Sequence, residues 1–140
     1  MKVLLAVDGS AYTKKMLTYL VTHDAMMSDT LEYTALTVCP EVPARARKAL
    51  GKAMVDQYYA DEGEKVLAPV MKFLKKHGLQ VTSLAKTGHA GDTIAKIAET
   101  GGYDLIIMGT QGVSALNKLV MGSVSTKVLA QCSVPVLLIR

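Results

Sequence analysis

The chain has 140 residues, half of them apolar, with 16 basic against 12 acidic side chains for a net charge of +4. That length suits one domain, spanning residues 1–140, with a single core, and no apolar run approaches the roughly 20 residues that a bilayer-crossing helix needs. The basic residues are dispersed, and with one Phe, no Trp and six scattered Tyr there is no stacking platform for nucleic acid.

The opening run Lys2 to Val7 is short and apolar and ends at Asp8, which reads as a strand rather than a leader. Ser10 reads as the N-cap of a first helix carrying Leu17, Leu20 and Val21 on one face, with a polar break near Ser28-Asp29. A second strand, Leu31 to Val38, alternates more than the first and is expected to be less sheltered. From Ala44 to Tyr59 the propensity is helical but Gly51 interrupts it. Leu67, Val70, Met71 and Leu74 then form a helical stripe that ends at His77-Gly78, and Pro69 inside it marks either a kink or a first turn. A third strand, Val81 to Lys86, leads through Gly88-His89 to a helix from Asp92 to Thr100, with Ile94, Ile97 and Ala98 inward and Gly101-Gly102 as its stop. A fourth strand, Asp104 to Met108, precedes a glycine-rich loop. The last helix begins at Gly122-Ser123, with Val124, Val128 and Leu129 expected inward, and a fifth strand spans Val134 to Ile139. Strands alternating with helices predict an α/β domain built on a parallel sheet, and the almost continuously apolar first, fourth and fifth strands predict helices on both faces.

Cys39 and Cys132 lie far apart, with no CxxC and no histidine at ligand spacing, so buried, reduced thiols are expected, together with a cytoplasmic location. His23 and His77 have no catalytic partner in sequence. His89 lies in a loop on the crevice side of the sheet, where solvent exposure is the simpler reading.

The strongest functional signal is Gly109-x2-Gly112-x9-Gly122-Ser123, placed directly after an apolar strand. A helix beginning there presents unpaired N–H groups and the positive end of its dipole to an anion, and glycine permits close approach. Neither GxxxxGK[ST] nor a first-strand GxGxxG occurs. The spacing found resembles the ATP-binding signature of the universal stress protein family. Val3 to Ser10, Gly88 with Ile94 and Ala98, and Pro135 to Ile139 also resemble family landmarks in family order. The resemblance covers roughly half of the chain and leaves Cys39 to about Glu64 unmatched.

The resemblance implies an open, Rossmann-like five-stranded sheet in the order 3-2-1-4-5. It implies that Ala6, Asp8 and the backbone of Val38 surround adenine and ribose, with Met108 lining the same pocket and Gly109 close to the ribose. The N–H groups of Gly112, Gly122, Ser123, Val124 and Ser125 would hold the phosphates of ATP, the Ser123 and Ser125 hydroxyls adding donors and Mg bridging phosphate oxygens. Asp8 is expected to serve a ligand or to cap the first helix, and the glycines singly are also ordinary turn residues. Ala90 departs from a frequent family proline, and Gln111 and Val113 stand where a basic residue is common, leaving Lys118 or Lys127 as sources of charge.

No base for hydrolysis is evident, so the expected function is ATP-binding regulation in a stress response, with at most slow hydrolysis. The alternatives are an ATP-cleaving or adenylate-forming enzyme, whose phosphate loop would follow the first strand, and a nucleotide-free interaction module. A phosphorelay receiver lacks its acid after the third strand and its lysine after the fifth. Pro135 suits an edge strand while Val136 to Ile139 is too apolar to stay uncovered, so a homodimer through Val134 to Arg140 is expected, in agreement with the resemblance.

Overall fold

A computed structural model describes residues 1–112 and 121–140. Five parallel strands, β1 (Lys2–Ala6), β2 (Glu32–Cys39), β3 (Val81–Thr87), β4 (Leu105–Gly109) and β5 (Val136–Ile139), lie in the order β3-β2-β1-β4-β5. The helices are α1 (Ala11–Thr22), α2 (Ala44–Leu50), α3 (Lys52–Lys76), α4 (Ala90–Thr100) and α5 (Ser123–Gln131), with a short 3-10 turn at Asp24–Met27.

Alternation along β1 explains its continuous apolar run. Val3 and Leu5, with Val7 just beyond, face α1 and α3, where they pack with Met16, Leu20, Leu67 and Leu74. Leu4 faces α4 and α5, packing with Ile94, Ala98, Ile106 and Val128. Each such side chain contributes roughly 1.5–3 kcal/mol on burial. The chain winds outward from β1 through β2 to β3, then crosses back to β4 and β5. Strand order therefore reverses between β1 and β4, which opens a crevice at their carboxyl ends.

Several local expectations change. β2 is less continuously buried than β1, as expected, yet it is an interior strand with Tyr33, Ala35, Leu36 and Thr37 buried; the exposed strand is β3, at the sheet edge. β5 is the other edge, and all four of its residues are half-buried rather than covered on both faces. Gly51, at φ +82°, does separate two helices, but the second runs unbroken through Pro69. Leu67, Val70 and Leu74 are buried on either side of the proline, so packing on the sheet outweighs one missing N–H. In α5 the inward residues are Ser125 and Val128, Val124 is half-buried and Leu129 points outward, 44% exposed. Cys39 and Cys132 are free but only half-buried. Burial pushes both thiols above the ordinary range.

Candidate functional site

Register places the ends of β1 and β4 side by side, with Ala6 opposite Met108. Both lie on the α4/α5 face, as does Val38 at the end of β2. Met108 is 4% exposed and belongs to the core beneath the crevice, whereas Ala6 and Val38 are half-buried around it.

The turn after β1 is closed by Asp8. Its Oδ1 accepts from Ser10 N–H at 2.9 Å and from the Thr13 hydroxyl at 2.9 Å, while Thr13 Oγ1 accepts from Asp8 N–H at 3.1 Å. Ser10 caps α1 by accepting from Thr13 N–H at 3.4 Å. The capping reading of Asp8 accounts for Oδ1; Oδ2 points toward the loop after β4, where a Cβ on Gly112 would stand 2.5 Å from it.

The loop glycines have packing duties of their own. A Cβ on Gly109 would meet Tyr12 Cβ at 2.5 Å, so the absent side chain admits α1 against β4. Gly122 N–H donates to Thr110 O at 2.6 Å, and a Cβ there would press on Gln111 Cα and Thr110 O, both at 3.2 Å. The Ser125 hydroxyl is also committed: it is 1% exposed and lies 3.0 Å from Thr110 O and 3.1 Å from Gly122 O. It is therefore a tether between α5 and the β4 loop rather than a free phosphate donor. Ser123 is exposed. The N–H groups of Ser123, Val124 and Ser125 precede the first hydrogen bond of α5, from Thr126 N–H to Gly122 O at 3.1 Å, and so have no acceptor within the helix.

Lys127 lies 3.6 Å from Asp92 Oδ1, both side chains about half exposed, so its charge is shared with an acid at the start of α4. Gly91 makes this contact possible, since a Cβ there would meet Lys127 Cβ and Cγ at 2.6 Å. His89 occupies the N-cap position of α4, exposed and without a side-chain cap bond. His77 and His23 each place Nδ1 on the carbonyl oxygen four residues back. Val113 and Lys118 lie outside the described residues.

Sequence reasoning missed Tyr12, Thr13 and Thr110. The Asp8-x-Ser10-x-x-Thr13 spacing of a capped turn was a usable sign of Thr13. Nothing local announces that Tyr12 will meet Gly109. Grooves of about 440 and 290 Å³ lie on the α3 side and include none of the crevice residues. The crevice, unlike these grooves, gathers helix-start N–H groups that have no acceptor among the described residues. Among the described residues no three His, Cys, Asp or Glu side chains are grouped to hold a metal ion.

The sequence model of the universal stress protein family matches residues 1–140. The chain belongs to the universal stress protein family. It is 30% identical to universal stress protein YxiE of Bacillus subtilis, over 99% of this chain and 98% of that protein. It is 34% identical to universal stress protein Slr1230 of Synechocystis, over 99% of this chain but only 42% of that protein. Among solved structures, MJ0577 of Methanocaldococcus jannaschii superposes with a TM-score of 0.81 at 27% identity, over 99% of this chain and 94% of that one. More distant family structures share the fold: one from Arabidopsis thaliana with AMP bound, TM-score 0.71 at 16% identity over 99% and 90% of the two chains, and one from Archaeoglobus fulgidus in complex with dAMP, TM-score 0.68 at 17% identity over 100% and 98%.

Proposed function

We propose that this universal stress protein binds ATP in the crevice between β1 and β4 and acts as a cytoplasmic nucleotide-dependent regulator in a stress response, with at most slow hydrolysis. The observation that carries the reading is that the N–H groups of Ser123, Val124 and Ser125 at the start of α5 have no acceptor among the described residues, beside Gly112 and the outward oxygen of Asp8. Three aligned donors at a helix N-terminus suit phosphate oxygens. Asp8 Oδ2, an acceptor, suits a hydroxyl or amino group of the nucleoside. The AMP and dAMP held by relatives of this fold support the adenine nucleotide class.

The N–H groups of Ser123, Val124 and Ser125 would hold the phosphate end, and Mg, if carried by the nucleotide, would supply positive charge there. Catalysis of hydrolysis would require a group positioned to orient water. Asp8 is the described carboxylate beside the loop, and one of its oxygens is occupied by the turn. We assign it to binding.

We further propose that the half-exposed edge β5 pairs with a second copy of itself. A monomer by light scattering at micromolar concentration refutes this.

The nucleotide reading is tested by denaturing freshly purified protein and weighing what it releases, then titrating emptied protein with Mg-ATP, Mg-ADP and AMP. Ligand at one hundred times its Kd stabilises by about 2.7 kcal/mol. For a domain of this size that raises Tm by roughly 8 °C. An unchanged Tm with all three nucleotides at millimolar concentration refutes the proposal.

A further inference from the structure

Helix α2 is out of proportion to its support. It has seven residues, none of them buried, and it ends at Gly51, whose positive φ separates it from α3. Helices this short are not stable alone and normally depend on an apolar face packed against something. Here the described anchorage is slight: Val42 N–H, just ahead of the helix, donates to Tyr59 Oη at 2.8 Å, and Gly51 N–H donates to Arg47 O at 3.0 Å.

Between α2 and the overhanging first turns of α3 runs a groove of about 440 Å³. Its walls are two facing helical stripes, Ala44, Arg47 and Lys48 on α2 and Lys52, Val55, Asp56 and Tyr59 on α3, Asp56 being the one acid in the lining. The floor is apolar. The charge is one-sided: α2 carries Arg45, Arg47 and Lys48 with no acid, and the Lys52 ammonium already pairs with Asp56 at 2.5 Å. Leu50 and Met54, 48% and 59% exposed, extend the apolar surface at the bend.

We propose that this groove is a docking site for an acidic amphipathic helix of a partner protein. The partner's apolar stripe would lie on Ala44 and Tyr59, above the buried Val55, and its carboxylates would meet Arg47 and Lys48. This is the helix-in-groove mode, with charge complementarity setting orientation and partner choice. A concave groove between two helices matches a helix better than a flat bilayer. The site lies on the α3 side of the sheet, apart from the nucleotide crevice, and does not depend on the nucleotide reading.

The test uses the whole chain and a synthetic helical peptide of roughly 18 residues, with Leu repeating on one face and Glu flanking it. Its controls are the same peptide with Lys replacing Glu, and vesicles of phosphatidylglycerol. The acidic peptide is expected to shift amide resonances between Ala44 and Tyr59 and to bind more weakly as salt rises. The double variant Arg47→Glu/Lys48→Glu, exposed positions whose change should leave Tm unaltered, should lose about tenfold in affinity for the acidic peptide and gain the Lys peptide. Should the double variant lose Tm, Lys48→Glu alone is expected to show the same reversal of preference. The proposal is overturned if neither peptide shifts these resonances at about 1 mM, or if both bind equally. It also fails if vesicles alone bind, or if the same shifts arise from raising protein concentration without peptide.

Discussion

Asp8 offers a separation of structural from ligand chemistry within one side chain. Replacing it with Ala removes the acceptor for Ser10 N–H and the Thr13 hydroxyl, two hydrogen bonds of 2.9 Å that are each worth about 1 kcal/mol. Asp8→Ala should therefore cost about 2 kcal/mol and lower Tm by roughly 6 °C, with or without nucleotide. Asp8→Asn differs in one respect. Its carbonyl oxygen can occupy the Oδ1 position and keep both bonds, while an amide NH2 replaces Oδ2 beside Gly112. Stability should stay within about 0.5 kcal/mol of the parent. Affinity should fall, because a hydrogen bond at Oδ2, valued like the two at Oδ1, contributes about 1 kcal/mol, or roughly fivefold in Kd. Calorimetric titration of Mg-ATP into each emptied variant, paired with urea denaturation, measures both quantities. Affinity of Asp8→Asn within twofold of the parent would refute the ligand role of Oδ2, and equal destabilisation by Asn and Ala would refute the division between the two oxygens.

Gly109→Ala should destabilise by about 1–3 kcal/mol in urea, since the new Cβ would meet Tyr12 Cβ at 2.5 Å; Tyr12→Ala keeps that atom and should not rescue it, and an unchanged midpoint refutes the packing role. Ser125→Ala should cost about 1 kcal/mol in the same assay yet leave Mg-ATP affinity nearly unchanged, because the hydroxyl faces Thr110 O and Gly122 O and only the N–H is offered to phosphate; a large loss of affinity contradicts this. Glu99 accepts from Ser133 N–H and Oγ at 2.6 and 2.7 Å, which holds its carboxyl below the ordinary glutamate range. A lowered folded pKa gives stability that is present above the unfolded value and lost as pH falls through the folded one. The Tm gap between the parent and Glu99→Gln should therefore be full at neutral pH, begin to close near about pH 4.3 and vanish below it; a gap independent of pH refutes the assignment.

What was legible in the sequence follows from how locally each feature is determined. β1 and β4 stood out because interior parallel strands need apolar residues on both faces, and the stop of α4 at Gly101-Gly102 is written in adjacent residues. The exposure of β3 and the half-burial of β5 were not legible, because shelter depends on position in the sheet, and strand order follows from long-range pairing. Pro69 was ambiguous because the local cost of a proline is visible in sequence, while the compensating burial of Leu67, Val70 and Leu74 comes from the sheet beneath. At the site, the glycine spacing located the loop. The second partner of each residue stayed hidden, since Tyr12 lies 97 positions from Gly109 and Thr110 accepts from a side chain 15 residues on.

That hidden layer changes what the glycine signature means. Gly109 admits α1 against β4, and Gly122 admits α5 against the Thr110 turn, whether or not a nucleotide is present. Valine at both positions would damage packing and binding together, so loss of ligand in such a variant would say nothing specific about phosphate. The informative groups are those without a hydrogen-bond partner among the described residues: the three N–H groups opening α5 and the second oxygen of Asp8. Gly122 is an N-cap without a side-chain acceptor and leaves these N–H groups to solvent or to a ligand. An anion bound there would accept from them, and the Ser125 tether and the Gly122 hydrogen bond hold the donors in place beforehand. Such preorganisation lowers the ordering cost of binding.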